Sequence, residues 1–135
     1  MQLAPSLKYS VYGLTGVLLA SGVAWLVFRY AGLASPDSAE WRTMSMRVHG
    51  AAAMAMIAVA ASAASLHAMS AWRERKNRAS GVALGASLVV LTVTGYLLYY
   101  LGGEATRSLA SVGHWALGLA LPALFASHTL RGQHQ

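Results

Sequence analysis

Charge is absent from four long stretches of the chain, residues 9–28, 48–72, 79–103 and 108–130. Each is near or above the ~20 residues that a helix needs to cross the hydrocarbon of a bilayer. The pattern predicts an all-α protein, a four-transmembrane-helix bundle with spans at about 9–28, 46–72, 79–101 and 108–130. The connections are short. Residues 1–135 are therefore expected to be a single membrane-embedded domain whose function sits among the helices.

Local signals agree with these spans. Run 9–28 exceeds the ~7 to 15 apolar residues of a signal-peptide core, and Phe28, Arg29 and Tyr30 make an interfacial anchor, so the run reads as a retained span. "GLASPDSAEW" reads as a turn into a helix start, with Glu40 suited to the positive end of the dipole. Tyr96, Tyr99 and Tyr100 suit an aromatic belt, and Gly102 with Gly103 should stop the third helix. "EATR" is a short link, which makes spans three and four antiparallel neighbours.

Composition agrees: 56% of the residues are hydrophobic and 10% are charged, against about 25% charged in soluble domains. With no Cys in the chain, disulfides, thiolate catalysis, Cys-ligated clusters and covalent haem attachment are excluded. The net charge of +6 comes from basic residues at helix ends, where they anchor spans and face lipid phosphates, so no nucleic-acid partner is expected. Lys8, Arg73, Arg75, Lys76, Arg78 and Arg131 fall on one side of the membrane and Arg29, Arg42, Arg47 and Arg107 on the other. The positive-inside rule then puts both termini in the cytoplasm.

Four histidines stand inside the apolar runs, where a polar ring is costly and signals function. His49 and His67 stand at i and i+18, about five turns apart on one face of span two. His114 and His128 stand at i and i+14, about four turns apart on one face of span four. Spans two and four run in the same direction. His49 lies about two turns inside Arg42, and His114 lies the same about two turns inside Arg107, so the two share an outer level. His67 and His128 share an inner one. Two cross-helix pairs of neutral imidazoles at matched depths are the arrangement that holds haem iron from both sides.

The remaining features fit around those pairs. Ala53, Ala60, Ala63 and Ala64 leave room on the histidine face. Gly81 and Gly95, at i and i+14 on one face of span three, would let a porphyrin approach the backbone. Gly13, Gly16 and Gly22 of span one fall on no single line. Arg47, Arg42 and Arg107 outside, and Arg73, Arg75 and Lys76 inside, are candidate partners for haem propionates, with interfacial anchoring the simpler role for each. Met44, Met46, Met54, Met56 and Met69 read as packing, Phe125 as packing between the span-four histidines, and His134 as part of a polar tail. The longer interval in span two and the shorter one in span four differ by about 6 Å of rise. Tilt, or a kink at Pro122, must absorb this for two haems to bind; otherwise one remains.

The motifs "RVHG" and "LHAMSAW", "SGVALGASLVVLTVTGYLLYY" and "GHWALGLALPALFASHTL" make the chain resemble a bacterial di-haem membrane cytochrome b over nearly its whole length. Its plan is similar to the four-helix cores of quinone-linked respiratory complexes, in which two helices each give two histidines and the others give glycines. His114, His128, Gly81 and Gly95 match that plan, and the longer interval from His49 to His67 departs from it. The resemblance implies haem b held by four axial histidines in the bacterial cytoplasmic membrane. It also implies electron transfer with a quinone and partner redox subunits. A small transporter or metal-handling protein is the alternative, as is a purely structural subunit; the absence of carboxylates from every run weighs against transport.

Overall fold

A computed structural model describes residues 4–31, 36–65 and 78–133. Among these the chain is all-helical, with α1 at Pro5–Tyr30, α2 at Pro36–Ala63, α3 at Arg78–Tyr100 and α4 at Glu104–Gln133. Each helix is long and apolar enough to cross a membrane. In hydrocarbon no water is present to satisfy backbone N–H and C=O groups, so a continuous helix is the form these runs must take. The chain divides into two compact units, one hairpin of α1 with α2 and one of α3 with α4.

α1 and α4 outrun at both ends the charge-free stretches that announce them. α1 begins ahead of the expected start, with Pro5 in its first turn, where the missing N–H costs nothing. Lys8 is carried inside this helix with its ammonium 5.7 Å from the centre of the Tyr12 ring. α4 likewise starts at Glu104 and takes in the whole of "EATR", which was expected as a link. Its first turn closes with the Arg107 N–H donating to the Gly103 carbonyl at 2.9 Å, and the Thr106 hydroxyl donates to the same oxygen at 2.9 Å. A Cβ at residue 103 would come within 2.9 Å of the Thr106 oxygen, so glycine makes this tight start feasible. Leu101, Gly102 and Gly103 alone separate α3 from α4, as expected of a glycine stop.

The helices of 26, 28, 23 and 30 residues are about 35 to 45 Å long, against about 30 Å of hydrocarbon. Their ends therefore reach the headgroup levels. In the first hairpin the Phe28 and Trp41 rings stack across the turn with centroids 6.4 Å apart. In the second, the Tyr96 and Tyr100 rings lie 4.4 Å apart and Tyr99 is exposed, as a belt requires. Leu109, at 76% exposed, and Val89, at 63%, show the outward faces that lipid would cover. Buried positions are few: Ser21, Ser38, Ala52 and Met56 in the first hairpin, Ser87 and Leu121 in the second. α4 continues through Pro122.

Candidate functional site

In the first hairpin α2 brings His49 against α1. The His49 Nδ1 lies 3.0 Å from the Ser21 hydroxyl oxygen and 3.1 Å from the Leu18 carbonyl oxygen. Ser21 is buried, and its hydroxyl also donates to the Val17 carbonyl at 2.6 Å. Beside it, Gly22 leaves the ring room: a Cβ there would sit 3.4 Å from His49 Cε1. One dipeptide thus offers the ring a polar partner and room for its edge.

The second hairpin makes the same contact twice. His114 Nδ1 lies 2.9 Å from the Thr94 hydroxyl oxygen, and a Cβ at Gly95 would sit 3.3 Å from His114 Cε1. His128 Nδ1 lies 3.0 Å from the Ser80 hydroxyl oxygen, and a Cβ at Gly81 would sit 3.5 Å from His128 Cε1. From one pairing to the other the chain steps back from Thr94 to Ser80 along α3 and forward from His114 to His128 along α4, by equal intervals, as antiparallel neighbours must. Gly81 and Gly95, expected to face a porphyrin, are set by the fold against the two imidazoles.

The sequence held a signal for these partners that its apolar periodicity hid. "VLLASG" at residues 17–22 and "VLTVTG" at residues 90–95 share the pattern V-L-x-x-[ST]-G. In both, the hydroxyl donates back to the valine carbonyl of its own helix, at 2.6 Å from Ser21 and 2.7 Å from Thr94, and its oxygen meets a histidine of the next helix. The following helices also correspond, through Arg42, His49 and Met56 in α2 and Arg107, His114 and Leu121 in α4, each series running in heptad steps. Heptad spacing keeps each series near one helix face. Met56 and Leu121 are both buried, which gives Met56 the packing role expected of it. Gly22, set aside in the sequence for want of a line of glycines, belongs to this repeated unit, while Gly13 and Gly16 have nothing within 4 Å of an added Cβ.

Of the candidate arginines, Arg42 is half-buried and Arg47 and Arg107 are exposed. Arg47 stands two positions before His49, about 200° around the helix, whereas Arg42 and Arg107 each share the histidine face. His67, Met69, Arg73, Arg75, Lys76 and His134 lie outside the described residues. Among the described residues no three His, Asp or Glu side chains gather into a metal-binding group. The donors the described site offers are single imidazoles, each fastened to the helix before it. Comparison of the chain with protein-family models, curated proteins and solved structures gave no match to any of the three.

Proposed function

We propose that this protein is a b-type cytochrome that carries electrons within the bacterial cytoplasmic membrane, passing them between a quinone pool and a partner redox subunit. In this reading haem would be bound among the membrane-spanning helices, with both termini cytoplasmic. His49 and His114 would hold the outer haem, and His67 and His128 the inner one. The reading rests chiefly on the three hydroxyl-anchored imidazoles of His49, His114 and His128. An interhelical hydrogen bond of this kind holds a ring still without adding charge to hydrocarbon.

The residues present fit haem in their chemistry. Neutral imidazole is a good iron ligand, and neither Cys nor carboxylate competes with it in the charge-free runs. When bound, haem supplies a one-electron iron couple. The chain's own work is to bind and to orient. The histidines ligate, Ser21, Thr94 and Ser80 hold them, and Arg42, Arg107 and Arg47 offer cationic partners to propionates at the outer surface. An imidazole on each face leaves no open ligand position, so the reading is electron transfer and not oxygen chemistry.

Reduced-minus-oxidised spectra of the purified protein test this. A b-type α band is expected, and replacing His114 should remove one spectral component while leaving the other. A protein without an α band, or a His114 variant that keeps both components, contradicts the reading.

A further inference from the structure

Each described intramembrane histidine meets the first helix of its hairpin through Nδ1, and the hydrogens available at those contacts decide which ring nitrogen is protonated. The Ser21 hydroxyl has a single hydrogen, with the Val17 and Leu18 carbonyls of its own helix 2.6 and 3.2 Å away to accept it. Its oxygen therefore accepts at His49. The Leu18 carbonyl, 3.1 Å from the same ring nitrogen, has no hydrogen to give. Two acceptors facing Nδ1 require that nitrogen to donate, so His49 carries its proton on Nδ1 and its lone pair on Nε2. Thr94 repeats the pattern: its hydrogen goes to the Val90 carbonyl at 2.7 Å, so its oxygen accepts from His114 Nδ1 at 2.9 Å. The Ser80 hydroxyl meets His128 Nδ1 at 3.0 Å.

We infer that Ser21 and Thr94 are positioning residues that fix His49 and His114 in the Nδ1–H tautomer, making Nε2 the nitrogen each ring offers to a ligand, and that Ser80 positions the His128 ring. Glycine completes the device. Cε1 lies next to Nδ1 in the ring, so a ring close enough to bond the hydroxyl must rest Cε1 over the following residue. A side chain there would press on it, most of all at Gly95, where the added Cβ would stand 3.3 Å away. The [ST]-G order is thus one functional unit, used three times in the described chain. Donation from Nδ1 also makes Nε2 a stronger base. A stronger base favours ferric over ferrous iron, which lowers the midpoint potential of a haem ligated there. That last consequence rests on the cytochrome reading; the tautomer does not.

Two measurements test the inference. In the first, 15N spectra are recorded on histidine-labelled, dithionite-reduced wild-type protein in detergent micelles, with signals assigned by their loss in His49→Gln and His114→Gln. Protonated Nδ1 is expected for both residues, and protonated Nε2 in either overturns the inference. In the second, the haem midpoint potential is compared in Thr94→Val, which removes the acceptor and keeps the shape, and in Thr94→Ser, which keeps the acceptor. The potential should rise in Thr94→Val and return to the wild-type value in Thr94→Ser. An equal shift in both variants reduces Thr94 to packing and overturns its positioning role. Colourless protein with protonated Nδ1 on both histidines removes the cytochrome reading and leaves the tautomers and their hydroxyl partners standing. Because the first measurement uses wild-type protein, it decides the tautomer even if Thr94→Val does not fold.

Discussion

The two hairpins share a design but use it to different depths. In the second, α4 presents His114, Leu121 and His128 in successive heptad steps, with Thr94 and Ser80 of α3 meeting the two rings. In the first, α2 presents His49, Met56 and Ala63 in the same steps, with Ser21 of α1 meeting the one ring. Ala63 thus occupies the step that His128 takes in the other hairpin. Leu7 and Lys8 likewise precede Ser21 and Gly22 by the interval at which, in α3, Ser80 and Gly81 precede Thr94 and Gly95. The contact at His49 and at His114 is common to both hairpins, and among the described residues the second hairpin makes it again at His128. His49 also gains the Leu18 carbonyl as a second acceptor. The shared element, one histidine of each hairpin fastened to an [ST]-G pair of the helix before it, is therefore the unit on which the account depends.

Substitutions can separate the shared element from the unshared one, and the histidines should give the largest effect. His49→Ala and His114→Ala should abolish the same spectral component, although the two residues belong to different hairpins, while His128→Ala should abolish a different one. Difference spectra of the three variants check this, and distinct losses for His49 and His114 would break the pairing. Next come the buried mid-heptad residues. Leu121→Ala and Met56→Ala should each cost about 2–5 kcal/mol in reversible unfolding from detergent. Exchanging their types, as Leu121→Met with Met56→Leu, should cost less than about 1.5 kcal/mol each if the two steps are equivalent.

Smaller effects are expected at the glycines. Gly95→Ala brings a methyl to 3.3 Å from His114 Cε1, and overpacking of that kind typically costs about 1–3 kcal/mol. Gly81→Ala, at 3.5 Å from His128 Cε1, is in ordinary contact and should cost less. Gly16→Ala has nothing within 4 Å to meet and should be neutral, or stabilising by up to about 1 kcal/mol through helix propensity. Thermal unfolding of the three variants under one set of conditions ranks them. A Gly16 variant less stable than the Gly95 variant would contradict the assignment of crowding to the histidine contacts.

Much of the fold was legible in the sequence because hydrocarbon imposes a simple rule: a charge-free run of span length must be a helix. The boundaries were less legible. Charge marks where hydrocarbon ends, but helices end where their backbone groups find other partners. Hence α4 starts at the Gly103 cap, before Arg107, and α1 starts at Pro5, before Lys8. The histidines were legible as rare polar residues in apolar runs, whereas Gly81 and Gly95, read as room for a porphyrin, stand against the rings of His128 and His114. Ser21, Ser80 and Thr94 were not. A hydroxyl in an apolar helix ordinarily bonds back to its own helix, as Ser21 and Thr94 do, and its second role appears only when antiparallel register brings a ring to the same oxygen. The repeat of V-L-x-x-[ST]-G was the available clue, and it spans too few residues to stand out from an apolar background.

The central claim is that imidazoles from the two hairpins ligate one iron at the outer level. Ferric EPR of the purified His49→Gly protein, with and without added imidazole, tests it most directly. The account predicts a low-spin, six-coordinate signal in the wild type, conversion of the outer component to high spin in the variant, and return to low spin when imidazole fills the vacated axial position. An outer signal that stays low spin in His49→Gly without imidazole would contradict it.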